Sequence, residues 1–256
     1  LFGCKKVKDI SGLGDHHSLR ILLCSYELVG YDSLLCIPHV QLNGCNISNL
    51  NVFKHAKTVS LVNCTEIIDV TPLDGLKSLT IQGCPNIGNI DSLRNIPDLS
   101  LVYKSKIPDL RQLRNRRLRL QYSTQDAFPH PIEADYFSFL KNIQELSLYQ
   151  CENIIELIDE GNVEYFLHLQ SLSITSSMIL KHVNGLGSIP SLYICRCYNL
   201  RDISALGRNR YVALHNCFSI EDVSVLATVP IVDIRYCWRL KDYSCLSEVQ
   251  RLTVYD

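Results

Sequence analysis

Residues Leu214 to Leu226 read "LHNCFSIEDVSVL". Twenty residues earlier, Ile194 to Leu206 read "ICRCYNLRDISAL", and twenty later Ile234 to Leu246 read "IRYCWRLKDYSCL". In each stretch a cysteine stands three places after an apolar residue, and apolar or aromatic residues follow it at +3, +6 and +9. An Asp precedes a Ser by two places in all three. The residues before the cysteine alternate apolar and polar, the period of a short half-buried strand. The spacing of three afterwards suits a 3-10 or irregular turn with one buried edge. The Asp with Ser or Thr two residues on, at Asp69, Asp202, Asp222 and Asp242, suits side-chain capping of that turn.

The pattern runs through the whole chain of 256 residues. Strand starts fall at Leu19, Val40, Val59, Leu79, Leu99, Leu118, Leu146, Leu172, Leu192, Val212, Val232 and Leu252. The steps between them are 21, 19, 20, 20, 19, 28, 26, 20, 20, 20 and 20 residues. The consensus is L-x-[LI]-x-x-C-x-x-[IL]-x-[DN]-[VI]-S-x-L. Pro72 fits the first position of its turn. Pro38, Pro97, Pro190 and Pro230 each lie two residues before a strand start, where they fix an extended entry. No unit can bury its apolar edge alone, so neighbours must stack into a continuous core. The expected product is one parallel sheet rising ~4.8 Å per coil, a spine roughly 60 Å long.

These units resemble leucine-rich repeats across essentially the whole chain. The short form, with Cys at the family's asparagine position, is similar to arrays in algae, protists and large DNA viruses and to the internalin type. The resemblance implies a mostly β, right-handed horseshoe with a parallel concave sheet and a convex side of 3-10 and irregular turns. It implies protein binding more often than catalysis. The expected organisation is a single array over 1–256 of about 12–13 coils.

Two steps are longer, near 118–171. In the first, "FPHPIEADYFSFLKNIQEL" places Tyr136, Phe137, Leu140 and Ile143 at helical spacing. In the second, "IIELIDEGNVEYFLHLQSL" does the same with Val163, Phe166 and Leu167. Both are expected to carry a short helix that either covers the core or contacts a partner. Neither end shows a polar capping unit: Leu1 to Cys4 is the back half of a strand and turn, and residues 252–256 begin another strand. The expectation is an internal piece of a longer protein, or neighbours covering both ends.

Nine cysteines hold the repeat position: Cys4, Cys24, Cys45, Cys64, Cys84, Cys151, Cys197, Cys217 and Cys237, with Lys104, Ser123 and Ser177 replacing it elsewhere. Strand spacing overlaps the ~4.4–6.8 Å that a disulfide requires between Cα atoms. An in-register ladder has no natural pairing, however, and buried Cys packs as a small apolar residue. The expectation is reduced structural thiols and an intracellular setting. Cys195 and Cys197 alternate to opposite faces, and no nearby His pair completes a zinc site. His215 and Cys217 also alternate, so they form no catalytic dyad. "GLG" at 12–14 and 185–187 lacks a following Lys-Ser/Thr, so no phosphate loop is read. No catalytic residue, metal or cofactor is expected.

The net charge of -1, from 25 basic and 26 acidic residues, lacks the basic footprint of a nucleic-acid binder. No apolar run approaches the ~18 residues of a membrane span. One basic cluster stands out: Arg111, Arg114, Arg116, Arg117 and Arg119 crowd the approach to a strand. It is either a solvated ridge or a contact for an anion or acidic partner. The outward strand positions are mostly small and polar in the N-terminal half. The C-terminal half gathers Tyr149, Tyr193, His215, Arg235 and Tyr255, and Tyr and Arg are enriched at interface hot spots. The expected function is a non-enzymatic scaffold binding another protein through its concave face. The alternatives are a structural part of an assembly, such as a viral particle or organelle complex, and the substrate-recognition arm of a ubiquitin ligase.

Overall fold

The computed structural model describes residues 1, 3, 6–22, 28–103, 109–122, 136–159 and 162–255. Cys4, Cys24, Lys104 and Ser123 of the ladder lie outside the described residues, as does the stretch 123–135 of the first long unit. Among the described residues twelve strands form. They are β1 (Ser18–Leu22), β2 (His39–Asn43), β3 (Thr58–Val62), β4 (Ser78–Gln82), β5 (Asp98–Tyr103) and β6 (Arg117–Tyr122), then β7 (Glu145–Tyr149), β8 (Ser171–Thr175), β9 (Ser191–Cys195), β10 (Tyr211–His215), β11 (Ile231–Arg235) and β12 (Arg251–Tyr255). One α-helix, α1 (Glu152–Asp159), joins them. The chain divides into two compact units, Leu1–Leu118 with Tyr122–Phe139 and Arg119–Gln121 with Leu140–Asp256.

In the first unit, β1 to β5 are parallel and follow sequence order. Equivalent repeat positions align: Leu79 faces Val59 on one side and Leu99 on the other. In the second unit, β7 to β12 repeat this arrangement, with Leu214 between Ile194 and Ile234. The inward columns are buried from β1 to β11, as alternation requires, and open to solvent at β12, where Leu252 is 38% exposed. This is a mostly β repeat solenoid, the architecture the period implies.

Strands β2 to β4 and β7 to β11 end the same way. The residue before the ladder position has a left-handed backbone, as at Gly44 (φ 67), Asn63 (φ 51), Gly83 (φ 61), Arg196 (φ 54), Asn216 (φ 53) and Tyr236 (φ 54). This geometry turns the chain while its N–H still donates to the next coil, Asn216 N to Arg235 O at 2.8 Å and Asn63 N to Gln82 O at 2.7 Å. The cysteine then points inward. Cys237 Sγ donates to Leu214 O of the preceding coil at 3.4 Å, and Cys217 Sγ to Ile194 O at 3.7 Å. Cys64, Cys84, Cys197, Cys217 and Cys237 are buried free thiols. A small side chain with a weak donor therefore fills the corner and satisfies a neighbouring carbonyl.

The turns are 3-10, as the spacing of three predicts: Ser204–Arg208, Ser224–Thr228 and Ser244–Leu246 are examples. The Asp caps form as read. The backbone N–H of Thr71, Ser204, Ser224 and Ser244 donates to Asp69, Asp202, Asp222 and Asp242 at 2.8–2.9 Å. Pro72 is the second residue of its turn (Thr71–Leu73) rather than the first, because the Asp69 cap takes the N–H of Thr71. The strand-entry prolines have no N–H to give, but their carbonyls accept from the next coil. Pro190 O takes Arg210 N at 2.9 Å and Tyr211 N at 3.0 Å.

Two buried asparagines were not anticipated. Asn209 and Asn115 occupy an inward column that holds Ile96, Ile189 and Val229 in other coils. Asn209 Nδ2 donates to Leu186 O at 3.0 Å and Ile189 O at 2.5 Å. Asn115 Nδ2 donates to Leu93 O at 2.8 Å and Ile96 O at 2.6 Å. A buried amide is tolerated here because it fastens two carbonyls of the coil before it.

The long steps differ from expectation in kind and place. Tyr136–Asn142 is 3-10 rather than α-helical, and Tyr136, Phe137, Leu140 and Ile143 are all buried. In the second long step the helix is α1, earlier than Val163, with Ile154, Ile155 and Ile158 on its buried side. Val163–Tyr165 is one 3-10 turn, and Leu167 is 56% exposed rather than part of a helix face. Glu152 ties α1 to the next coil. Ser177 Oγ donates to Glu152 Oε2 at 2.6 Å and Met178 N to Oε1 at 2.8 Å, so the serine at the ladder position serves a carboxylate.

Candidate binding site

Parallel register sets the outward rows of the second unit. One row runs Tyr149, Thr175, Cys195, His215, Arg235, Tyr255. The next runs Ser147, Ser173, Tyr193, Ala213, Asp233, Thr253. Four of the five residues expected to bind a partner come together over β9 to β12. The Tyr193 and His215 rings meet edge to face at 5.0 Å. His215 Nε2 lies 3.2 Å from Asp233 Oδ2. Arg235 grips the same carboxylate side-on, Nε to Oδ1 at 2.8 Å and Nη2 to Oδ2 at 2.9 Å. The guanidinium sits 5.2 Å from the centroid of the Tyr255 ring. Tyr149 shares the row but stands three strands from His215, about 14 Å at the usual strand spacing.

Asp233 organises the cluster. Its side chain is 13% exposed, against 42% for Arg235. Burial pushes the Asp233 carboxyl up, but the Arg235 hydrogen bonds and the adjoining His215 outweigh it and hold the group below the ordinary carboxylate range. The Asp233 bond in turn raises the Arg235 guanidinium. Burial also pushes the Tyr193 phenol up to about 12, with Cys195 beside it adding to the shift. Tyr193 therefore presents a neutral O–H at physiological pH. Ala213 faces outward yet is fully buried, because the larger side chains around it close over its methyl group.

The first unit presents a different surface. A shallow groove of about 380 Å³ over β1 to β4 is lined by Ser18, Arg20, His39, Gln41, Thr58 and Ser60 among others. His39 Nδ1 lies 2.8 Å from Thr58 Oγ1. Of the basic cluster, Arg114 and Arg116 are exposed before β6, and Arg119 is exposed on it. Arg117 Nη1 stands 3.9 Å from Asp98 Oδ2, and Arg111 pairs with Asp109 at 2.6 Å. Arg111 and Arg117 are thus turned toward acidic neighbours.

Sequence reasoning passed over two features. Asp233 stood in an outward row without being singled out, because its importance comes from facing His215 across strands. The other is an aromatic stack. Tyr198 and Phe218 are parallel at 5.0 Å, and Phe218 and Trp238 at 4.7 Å, with Trp238 68% exposed. The signal is legible in the sequence, since Cys197, Cys217 and Cys237 are each followed at once by an aromatic residue.

No protein-family model and no curated protein matches the chain. Solved structures do. The internalin InlF from Listeria monocytogenes is 13% identical, with a TM-score of 0.52 over 98% of this chain and 87% of that one. The fold is a leucine-rich-repeat solenoid. The functional domain of InlJ from Listeria monocytogenes, which includes a cysteine ladder, is 12% identical with a TM-score of 0.49, over 97% of this chain and 60% of that one. The leucine-rich-repeat domain of the type III effector XopL is 14% identical with a TM-score of 0.37, over 86% and 76%. Among the described residues no helix is long and apolar enough to cross a membrane.

Proposed function

We propose that the chain is a non-enzymatic protein-recognition module whose partner docks on the outward face of β9 to β12. The observation that carries this reading is the continuous cluster Tyr193, His215, Asp233, Arg235 and Tyr255, held by contacts of 2.8–5.2 Å. Side chains fixed before binding lose less freedom when a partner arrives. The cluster combines rigid aromatic area with an oriented guanidinium, the composition of an interface centre. The buried free thiols of the ladder support a reducing, intracellular setting for that partner.

The test is affinity capture followed by mass spectrometry, with wild type compared against Tyr193→Ala and Arg235→Ala. Proteins retained by wild type and lost by both variants are expected. Retention of the same set by all three places binding elsewhere and ends this reading.

A further inference from the structure

An arginine has five N–H donors in a planar fork. In Arg235 the Nε hydrogen and one Nη2 hydrogen are spent on Asp233. The two Nη1 hydrogens and the second Nη2 hydrogen lie on the outer edge of a group 42% exposed. Asp233 holds one side of the guanidinium and the Tyr255 ring lies against its face, so that outer edge is aimed before any ligand arrives. Bidentate donation from such an edge matches a carboxylate. Charge on the surrounding rows points the same way. The outward positions of β9 to β12 carry Arg235 and Arg251 against Asp233 alone.

We propose that the outer edge of Arg235 is the receptor for a side-chain carboxylate on an acidic segment of the docking partner, with Asp233 as its positioning residue. This rests on the recognition reading above and names the chemistry of the partner. His215 packs between the Tyr193 ring of β9 and the Asp233 carboxylate of β11, so it buttresses the residue that holds Arg235.

Fluorescence anisotropy with a labelled peptide of alternating Glu and Ser tests this at low ionic strength. Its Gln counterpart and a single-stranded oligonucleotide serve as controls. The Glu peptide is expected to bind at least about tenfold more tightly than the Gln peptide. Arg235→Gln is expected to lose about tenfold, and Arg235→Lys to recover part of it, having the charge without the fork. Should Arg235→Gln fail to fold, the double variant Asp233→Asn with Arg235→Gln removes both charges together and decides the matter. Equal affinity for the two peptides, full binding by the double variant, or Arg235-dependent binding of the oligonucleotide in place of the peptide overturns the proposal. If the Glu peptide does not bind while Tyr193→Ala still loses its captured partner, the carboxylate inference falls and the recognition reading stands. If capture is unaffected too, both fall.

Discussion

In the first unit the left-handed residue before the ladder position is Gly44, Asn63 or Gly83; in the second it is Gln150, Ser176, Arg196, Asn216 or Tyr236. The backbone turn is the same and the chemistry is not. Glycine and asparagine adopt this conformation readily, whereas a bulky side chain there costs on the order of 1 kcal/mol or more. The outward rows diverge in the same sense, from the hydroxyl-lined groove of β1 to β4 to the aromatic and charged cluster of β9 to β12. One scaffold thus appears twice, once with residues suited to the local backbone and once with side chains retained in spite of it. Residues kept against local preference are where function concentrates.

If the two scaffolds are equivalent, matched core truncations should match in cost. Leu79 and Leu192 are both fully buried, and Leu79→Ala and Leu192→Ala should each destabilise by about 2–5 kcal/mol in urea melts. A large inequality would show that the units differ in packing and not only in surface. The buried amides offer a second matched pair. Asn115→Ala and Asn209→Ala each remove the amide donor from two carbonyls, of which Leu93 O and Leu186 O keep a backbone N–H. The cost should be about 1–3 kcal/mol, so a negligible effect in either unit would remove the amide's structural role there.

Smaller effects should have opposite signs. A Cβ on Gly83 would fall against the Asn63 side chain on a backbone with φ 61, so Gly83→Ala should lose about 1 kcal/mol. Tyr236→Gly relieves the left-handed strain and should gain a few tenths to about 1 kcal/mol. A loss in the second case would mean that Tyr236 is held by packing that outweighs its backbone. The smallest effect concerns acid. Hydrogen bonds from the Ser224 backbone and hydroxyl hold the Asp222 carboxyl below its ordinary value, and Asp202 and Asp242 are lowered in the same way. A depressed folded value means stability that is present above the unfolded pKa of ~3.9 and lost as pH falls through the folded one. Thermal melts should therefore drop below about pH 4, and Asp222→Asn, which can cap without a charge, should drop less. An unchanged slope in that variant would show that the cap contributes nothing through its ionisation.

Much of this was legible because repetition averages out local ambiguity. One L-x-L carries little information, but eleven consecutive steps fixed the strands, the inward ladder and the 3-10 turns. The caps at Asp69, Asp202, Asp222 and Asp242 followed from two-residue spacing alone. What repetition could not supply lies in the exceptions. Ile154, Ile155 and Ile158 form α1 within a step where the spacing of Val163, Phe166 and Leu167 pointed to a later helix. Asn115 and Asn209 look like surface residues between arginines, and only their column in the stacked coils makes them core. Tyr193, His215, Arg235 and Tyr255 were found by residue type and alternation. Their link through Asp233 depends on side-chain reach between strands, which spacing along one chain does not encode.

The most direct test sets the two outward surfaces against each other. Binding of the captured partner would be measured by calorimetry for wild type, for Ser60→Ala with Thr80→Ala and Ser100→Ala, and for Tyr193→Ala with His215→Ala and Arg235→Ala. The expected result is wild-type affinity for the first triple variant and at least about a tenfold loss for the second, with both melting cooperatively. Equal losses, or a loss confined to the first, would contradict the assignment of recognition to β9 to β12.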